Sequence, residues 1–206
     1  MTKIVRSKSK ISRRLGVSLW GRGKDAFNSR NNPPGQHGAA GAGRKKHSNF
    51  GIQLRAKQQL KGYYNMSEKQ FYRNYEDSSR KKGDTSENLV GLLERRLDAV
   101  VYRANLAPTI FSARQLVSHK HILVNGKSVN IPSYHVADGD VIEIKEKSKQ
   151  IPIIIEATQK IEREVPGYIT LDAANFKATY VRQPQFSDIP YPVRMEPNLV
   201  VEFYSR

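Results

Sequence analysis

The run Ser112-Ala-Arg-Gln-Leu-Val-Ser-His-Lys-His-Ile-Leu-Val-Asn-Gly-Lys127 decides how this chain folds. Ser112 followed three residues later by Gln115 has the form of a capping box, so a short helix is predicted to begin there and to end around His119. Ile122-Leu-Val then reads as a strand entering Asn125-Gly126, a residue pair that tolerates the positive φ angles of a tight hairpin turn. Val129 and Ile131 alternate beyond it as the returning strand. Asp138-Gly-Asp140 supplies a second turn, and Val141 to Ile144 a further strand. Helix, hairpin and strand in this order, between helical flanks, point to an α+β fold.

Toward the N-terminus, Asp84 and Glu87 open a helix whose apolar face comprises Leu89, Leu92, Leu93, Leu97, Val100 and Val101. It is predicted to run unbroken to about Leu106, ahead of Pro108. Ser67-Glu-Lys-Gln70 is another capping-box pattern, starting a helix with Phe71 and Tyr75 on one face and Arg80-Lys-Lys-Gly83 at its end. From Ser48 onward Ile52, Ala56, Leu60 and Tyr63 recur at helical spacing, with Arg55, Lys57 and Lys61 off that stripe. Residues 1–47 show little periodicity: Asn31-Asn-Pro-Pro-Gly35 is a strong turn, Gly38 to Gly43 a flexible stretch, and short helical pieces are the most expected there.

Toward the C-terminus, Ile151, Ile154, Ile155, Thr158 and Ile161 are spaced for a helix with Pro152 in its first turn. Tyr168 to Leu171 and Thr179 to Arg182 read as strands. Four prolines between Gln183 and Pro197 preclude long regular structure, and Leu199, Val200, Phe203 and Tyr204 suit a closing helix that completes the thin N-terminal helical core.

Charge narrows the function. The 206 residues hold 35 Lys plus Arg against 19 Asp plus Glu, net +16. Residues 1–62 carry 15 of the basic residues and 1 acid, so the remainder is nearly neutral. Such an arm repels itself unless phosphates neutralise it, and it is expected to order on binding a polyanion. No apolar run approaches the roughly 18 residues of a membrane span, so nucleic acid is the expected partner and a membrane is not. The absence of Cys removes disulfides, thiolate metal sites and a cysteine nucleophile. No metal, cofactor or catalytic site is expected.

The candidate phosphate contacts are Arg13, Arg14, Arg22, Lys24, Arg44, Lys45 and Lys46, because each cation that neutralises a phosphate releases condensed counterions. In Pro34-Gly-Gln-His-Gly38, Gly35 lets backbone N–H groups approach phosphate while Gln36 and His37 can donate. Arg55, Lys57 and Lys61 with Gln58 form a broad polar helix face that continues the arm's charge. Tyr63, Tyr64, Phe71 and Tyr75 could stack on bases but are expected to fill the core. Arg114, Gln115, Ser118, His119 and Lys120, with Asn125, Gly126 and Lys127 in the following turn, are expected to form one ledge suited to an RNA backbone. His119 and His121 mimic a metal pair, but RNA or core contacts are expected for them.

From Leu93 to Ile144 the order of elements resembles the small RNA-binding S-four domain, on the residues Arg96-Leu-Asp98, Ala113-Arg-Gln-Leu-Val-Ser-His119, Val124-Asn-Gly126, Val129-Asn-Ile-Pro-Ser133 and Gly139-Asp-Val-Ile142. That domain also guides RNA-modifying enzymes. The flanks Pro34-Gly-Gln-His-Gly38, Phe50-Gly-Ile-Gln-Leu-Arg55, Glu68-Lys-Gln-Phe71, Glu87-Asn-Leu89 and Val201-Glu-Phe-Tyr-Ser-Arg206 resemble the S-four family of small-subunit ribosomal proteins, bacterial type, over essentially the entire chain. The resemblance implies a basic arm (1–47), a small all-α domain (48–88 plus 190–206) completed by the C-terminal helix, and an inserted S-four RNA-binding domain (89–189). It also implies binding to the five-prime domain of small-subunit rRNA, nucleation of subunit assembly, and a contribution to translational accuracy. The implied partners are that rRNA, the neighbouring ribosomal protein S-five, and messenger RNA where it enters the subunit. The implied location is the ribosome in a bacterial cytoplasm, with an organellar ribosome as the alternative. A stand-alone RNA chaperone or RNA-modification guide is the competing function. Relatives carrying a Cys-rich zinc knuckle in the arm differ from this chain, which has none.

Overall fold

The computed structural model describes residues 7–21, 23–39, 48–159 and 163–206. The chain divides into two compact units, Met1–Leu89 with Tyr191–Arg206, and Val90–Pro190.

The first unit is helical. Ser48 caps α3 (Asn49–Tyr63) by accepting from the Gly51 N–H, and Ser67 caps α4 (Glu68–Ser79) by accepting from the Gln70 N–H. The reciprocal half of the second capping box does not form, since the buried Gln70 Oε1 accepts nothing. α4 ends at Ser79 with Arg80 as its C-cap, so Gly83 lies beyond the helix rather than closing it. The C-terminal helix, α9 (Pro197–Tyr204), packs along α3. Leu60, Tyr63, Tyr64, Phe71 and Val200 are buried, which makes the first three aromatics core residues and removes them as stacking platforms.

Residues 7–21 and 23–39 contain the short helical pieces expected there and, in addition, a buried apolar anchor. They hold α1 (Lys8–Leu15) and the single turn α2 (Ala26–Ser29), and bury Leu15, Leu19 and Trp20. Trp20 Nε1 donates to the Tyr63 carbonyl at 3.2 Å. Each large side chain so buried contributes about 1.5–3 kcal/mol, enough to hold a short polar segment against α3.

The division between the units falls within α5 (Thr85–Glu94). The predicted single helix to Leu106 is broken in two: Arg96 is extended (ψ 137°), and α6 (Leu97–Arg103) follows. The physical reason is competition for backbone groups. The Leu97 and Asp98 N–H groups donate to the Tyr134 and Pro132 carbonyls at 2.8 and 3.1 Å, and the Arg95 carbonyl accepts from Val136 at 2.8 Å. A continuous helix would need those same groups for itself.

α7 (Ile110–Ser118) starts earlier than predicted. Thr109 is its N-cap and Ser112 its third residue, each backbone N–H bonded at 3.0 Å to the other's hydroxyl. The capping box therefore uses Ser112 as the reciprocal partner, and Ile110 is buried as a result. Strands β1 (Ile122–Val124), β2 (Lys127–Ser128), β3 (Val141–Ile144), β4 (Ile169–Asp172) and β5 (Lys177–Tyr180) form one antiparallel sheet in the order β2-β1-β3-β5-β4. β2 is only two residues long, and Val129 and Ile131 lie outside it. α8 (Pro152–Gln159) carries the predicted isoleucine stripe as far as it is described, with Ile161 outside the described residues.

Two ion-pair groups lie inside this second unit. Glu94, fully buried, accepts from Arg103 Nη2 and the Tyr168 hydroxyl, both at 2.8 Å. Arg96 and Asp98, each 1% exposed, pair through two bonds at 3.0 and 2.7 Å.

Candidate nucleic-acid interface

The basic residues of the first unit separate into fasteners and surface groups. Lys57 and Lys61, expected on an outer RNA-facing stripe, are buried. They converge on Glu68 at 2.8 and 2.5 Å. The Tyr204 hydroxyl donates to the same carboxylate at 2.7 Å, and Lys57 Nζ lies 4.2 Å from the centre of the Phe203 ring. α3, α4 and α9 thus meet at one carboxylate. Partial burial pushes the Glu68 pKa up, but hydrogen bonds from Lys57, Lys61 and Tyr204 outweigh it and hold the value at about 2. Burial and that carboxylate together push the Tyr204 hydroxyl well above its ordinary range. The spacing of Lys57 and Lys61 placed both on one helix face, but composition did not reveal that an acid 7 and 11 residues away would claim them.

Arg55 and Arg13 are also turned back onto the chain. Arg55 Nη2 donates to the Leu15 carbonyl at the end of α1. Arg13 donates from Nε to the Asn32 carbonyl at 2.9 Å and from Nη2 to the Pro33 carbonyl at 3.2 Å. Arg14 and Lys24 are exposed, as are Gly35, Gln36 and His37. Arg22, Arg44, Lys45 and Lys46 lie outside the described residues. Lys10, Arg30, Lys69 and Arg73 are exposed as well, and sequence reasoning singled out none of them, because a cation's partner is invisible until the fold is known.

In the second unit the anticipated ledge is partly occupied by internal bonds. Arg114 lies 3.8 Å from Asp98, and burial lowers its pKa while Asp98 opposes that shift. The Ser118 hydroxyl donates to the Arg114 carbonyl one helical turn back. Asn125 is pinned on both sides of its amide: Nδ2 donates to Asp140 at 2.8 Å and Oδ1 accepts from the Val141 N–H at 2.9 Å. Gln115, His119, Lys120, Gly126 and Lys127 remain exposed. Lys120 ends the α7 turn at φ 64°, and Asn125 and Gly126 take φ 48° and 75° in the hairpin turn.

Four residues, His121 and the three of β1, separate Lys120 from that turn. Lys127 lies on β2, opposite Val124 at the turn end of β1, whereas Lys120 precedes the other end of β1, so the two exposed cations lie apart rather than clustered. His121 Nδ1 lies 2.8 Å from Ser148 Oγ, and burial, His119 and Lys145 lower its pKa, so its ring serves the local packing. Among the described residues no group of three or more potential ligands could hold a metal ion, and no helix is long and apolar enough to cross a membrane.

Comparison with known proteins supplies what this geometry leaves open. Residues 3–94 match the family model described as the ribosomal protein S4/S9 N-terminal domain, and residues 95–142 match the S4 domain. The chain is 61% identical over its full length, and the full length of the relative, to a small ribosomal subunit protein uS4 of Acidiphilium cryptum. It is 60% and 62% identical, at the same complete coverage, to proteins of that name from Rhodospirillum rubrum and Granulibacter bethesdensis. With both family models matched in order and this identity sustained from end to end, the chain belongs to the uS4 family of ribosomal proteins.

Proposed function

We propose that this protein is a structural, non-catalytic constituent of the small ribosomal subunit that binds its rRNA directly. The observation that carries the reading is the full-length identity to uS4 proteins, over a chain whose net charge is +16. In finer terms, it grips a multi-helix junction in the five-prime domain of that rRNA and nucleates assembly there. It touches protein S-five and messenger RNA within the finished subunit, and it influences translational accuracy. The bacterial relatives favour a ribosome in the bacterial cytoplasm as its location.

The contact set follows from the partner accounting. Arg14, Lys24, Gly35, Gln36 and His37 in the first unit are exposed for RNA, with Gln115, His119, Lys120, Gly126 and Lys127 in the second. Arg22, Arg44, Lys45 and Lys46 join them on charge alone. Lys57 and Lys61 fall outside the set, because each is buried with its ammonium on Glu68 and extracting either would break that ion pair. The division of labour is a basic arm over residues 1–47, a helical support, and an S4 domain providing the second contact surface.

Chemical footprinting on small-subunit rRNA tests the reading. Protection of a five-prime-domain junction in moderate salt, at an affinity orders of magnitude above that for unstructured RNA, is the expected result. Equal affinity for both RNAs, governed by salt alone, would instead describe a nonspecific chaperone.

A further inference from the structure

Arg13 looks like an RNA ligand in the sequence, yet its guanidinium is turned to two successive carbonyls of the Asn31–Gly35 turn. The chain then folds tightly back. The Gly38 N–H donates to the Gly35 carbonyl at 3.1 Å, and a Cβ placed at Gly38 would fall 1.9 Å from the Pro33 carbonyl oxygen, the atom that Arg13 also holds. Gly35 sits at φ 109° with open space around it, and Gln36 and His37 project to solvent. Among the described residues, the N–H groups of Gln36 and His37 have no backbone partner. The Pro33–Gly38 segment contains no Lys, Arg, Asp or Glu, so whatever it offers an RNA phosphate comes from N–H groups and neutral side chains.

We infer that Arg13 is a positioning residue that holds the Pro33–Gly38 turn in the shape that receives an RNA phosphodiester, rather than itself neutralising a phosphate. A guanidinium is suited to this, since its planar fork reaches two carbonyls at once, whereas an ammonium is a single point. The inference rests on the RNA-binding reading above. It makes a distinct claim, that removing this cation weakens binding without reducing the number of neutralised phosphates.

Three variants separate the two roles in the full-length protein binding small-subunit rRNA. Removing a true phosphate contact, as expected for Arg14→Gln, should reduce the slope of log affinity against log salt by about 0.7–0.9. Arg13→Gln should weaken binding on the order of tenfold with the slope unchanged, because the turn it releases is uncharged. Arg13→Lys keeps the charge and should still be weakened several-fold. Gly38→Ala, a lesion in the turn itself, should lose the same protected nucleotides as Arg13→Gln, and the double variant should be little worse than either.

Amide exchange at Gly38 in the free protein tests the clamp without RNA, and it should accelerate in both Arg13 variants. A slope lowered by about 0.8 in Arg13→Gln, wild-type affinity in Arg13→Lys, or unchanged Gly38 exchange would each overturn the inference. Failure of the wild-type protein to prefer folded rRNA would overturn the ribosomal reading instead, with the exchange result still deciding the clamp.

Discussion

The two units use their arginines and lysines in opposite ways. In Val90–Pro190 the arginines that hold the core are sealed inside, Arg103 on Glu94 and Arg96 on Asp98, with none of these four side chains more than 4% exposed. In Met1–Leu89 with Tyr191–Arg206, Arg13 and Arg55 fasten onto carbonyls of loops and helix ends, and Lys57 and Lys61 meet a carboxylate that is 47% exposed. Charge in the second unit is part of a core built around a sheet. In the first it substitutes for a core that is too thin. The lesson is that net charge measures neither RNA contact nor stability, because the same residue types serve both ends.

The sharpest test of this contrast is the buried Arg103–Glu94 pair. Arg103→Met leaves Glu94 with Tyr168 but without its guanidinium, and breaking a buried pair in this way costs about 3–5 kcal/mol. Urea unfolding should show that loss. A cost below about 1 kcal/mol would put Arg103 on a par with a surface fastener and erase the contrast.

Glu68→Gln should cost less, about 1–3 kcal/mol, since one partner is half in water while two buried ammoniums lose their counter-charge. Its pH dependence has a definite sign. The carboxylate falls from an ordinary value near 4.5 to about 2 on folding, so its stabilisation is complete above pH 4.5 and disappears as pH drops through 2. The wild-type urea midpoint should therefore fall over that window, and Glu68→Gln should lack that part of the fall.

Thr109→Ala removes the N-cap of α7 and should cost about 1 kcal/mol by the same assay, with little effect in the other unit. Lys127→Gln, on an exposed two-residue strand, should leave stability within about 0.5 kcal/mol. It should instead reduce the salt slope of rRNA binding by about 0.7–0.9, the signature of a lost phosphate contact.

Much of the fold was legible because local signals agreed with it. The Asn125-Gly126 turn, the Ser67 cap and the helical spacing of Ala56, Leu60 and Tyr63 in α3 are properties of short sequence windows. The break at Arg96 was not legible, since its cause is the distant Pro132–Val136 loop taking backbone bonds from Arg95, Leu97 and Asp98. The candidate site divides along the same line. Arg14, Lys24, Lys120 and Lys127 are exposed as basic residues usually are, whereas the internal partners of Arg13, Arg55, Lys57 and Lys61 are distant in sequence or lie on another helix and so do not show in the sequence.

By itself the sequence determined the charge asymmetry, the helix and strand alphabet, and through its motif order the family. These depend on residue identity and near-neighbour spacing, which the chain carries whatever its conformation. Which cations are bound internally depends on long-range folding. Residue identity supplies a cation, but its role is fixed by whichever carbonyl or carboxylate the fold brings within hydrogen-bonding reach.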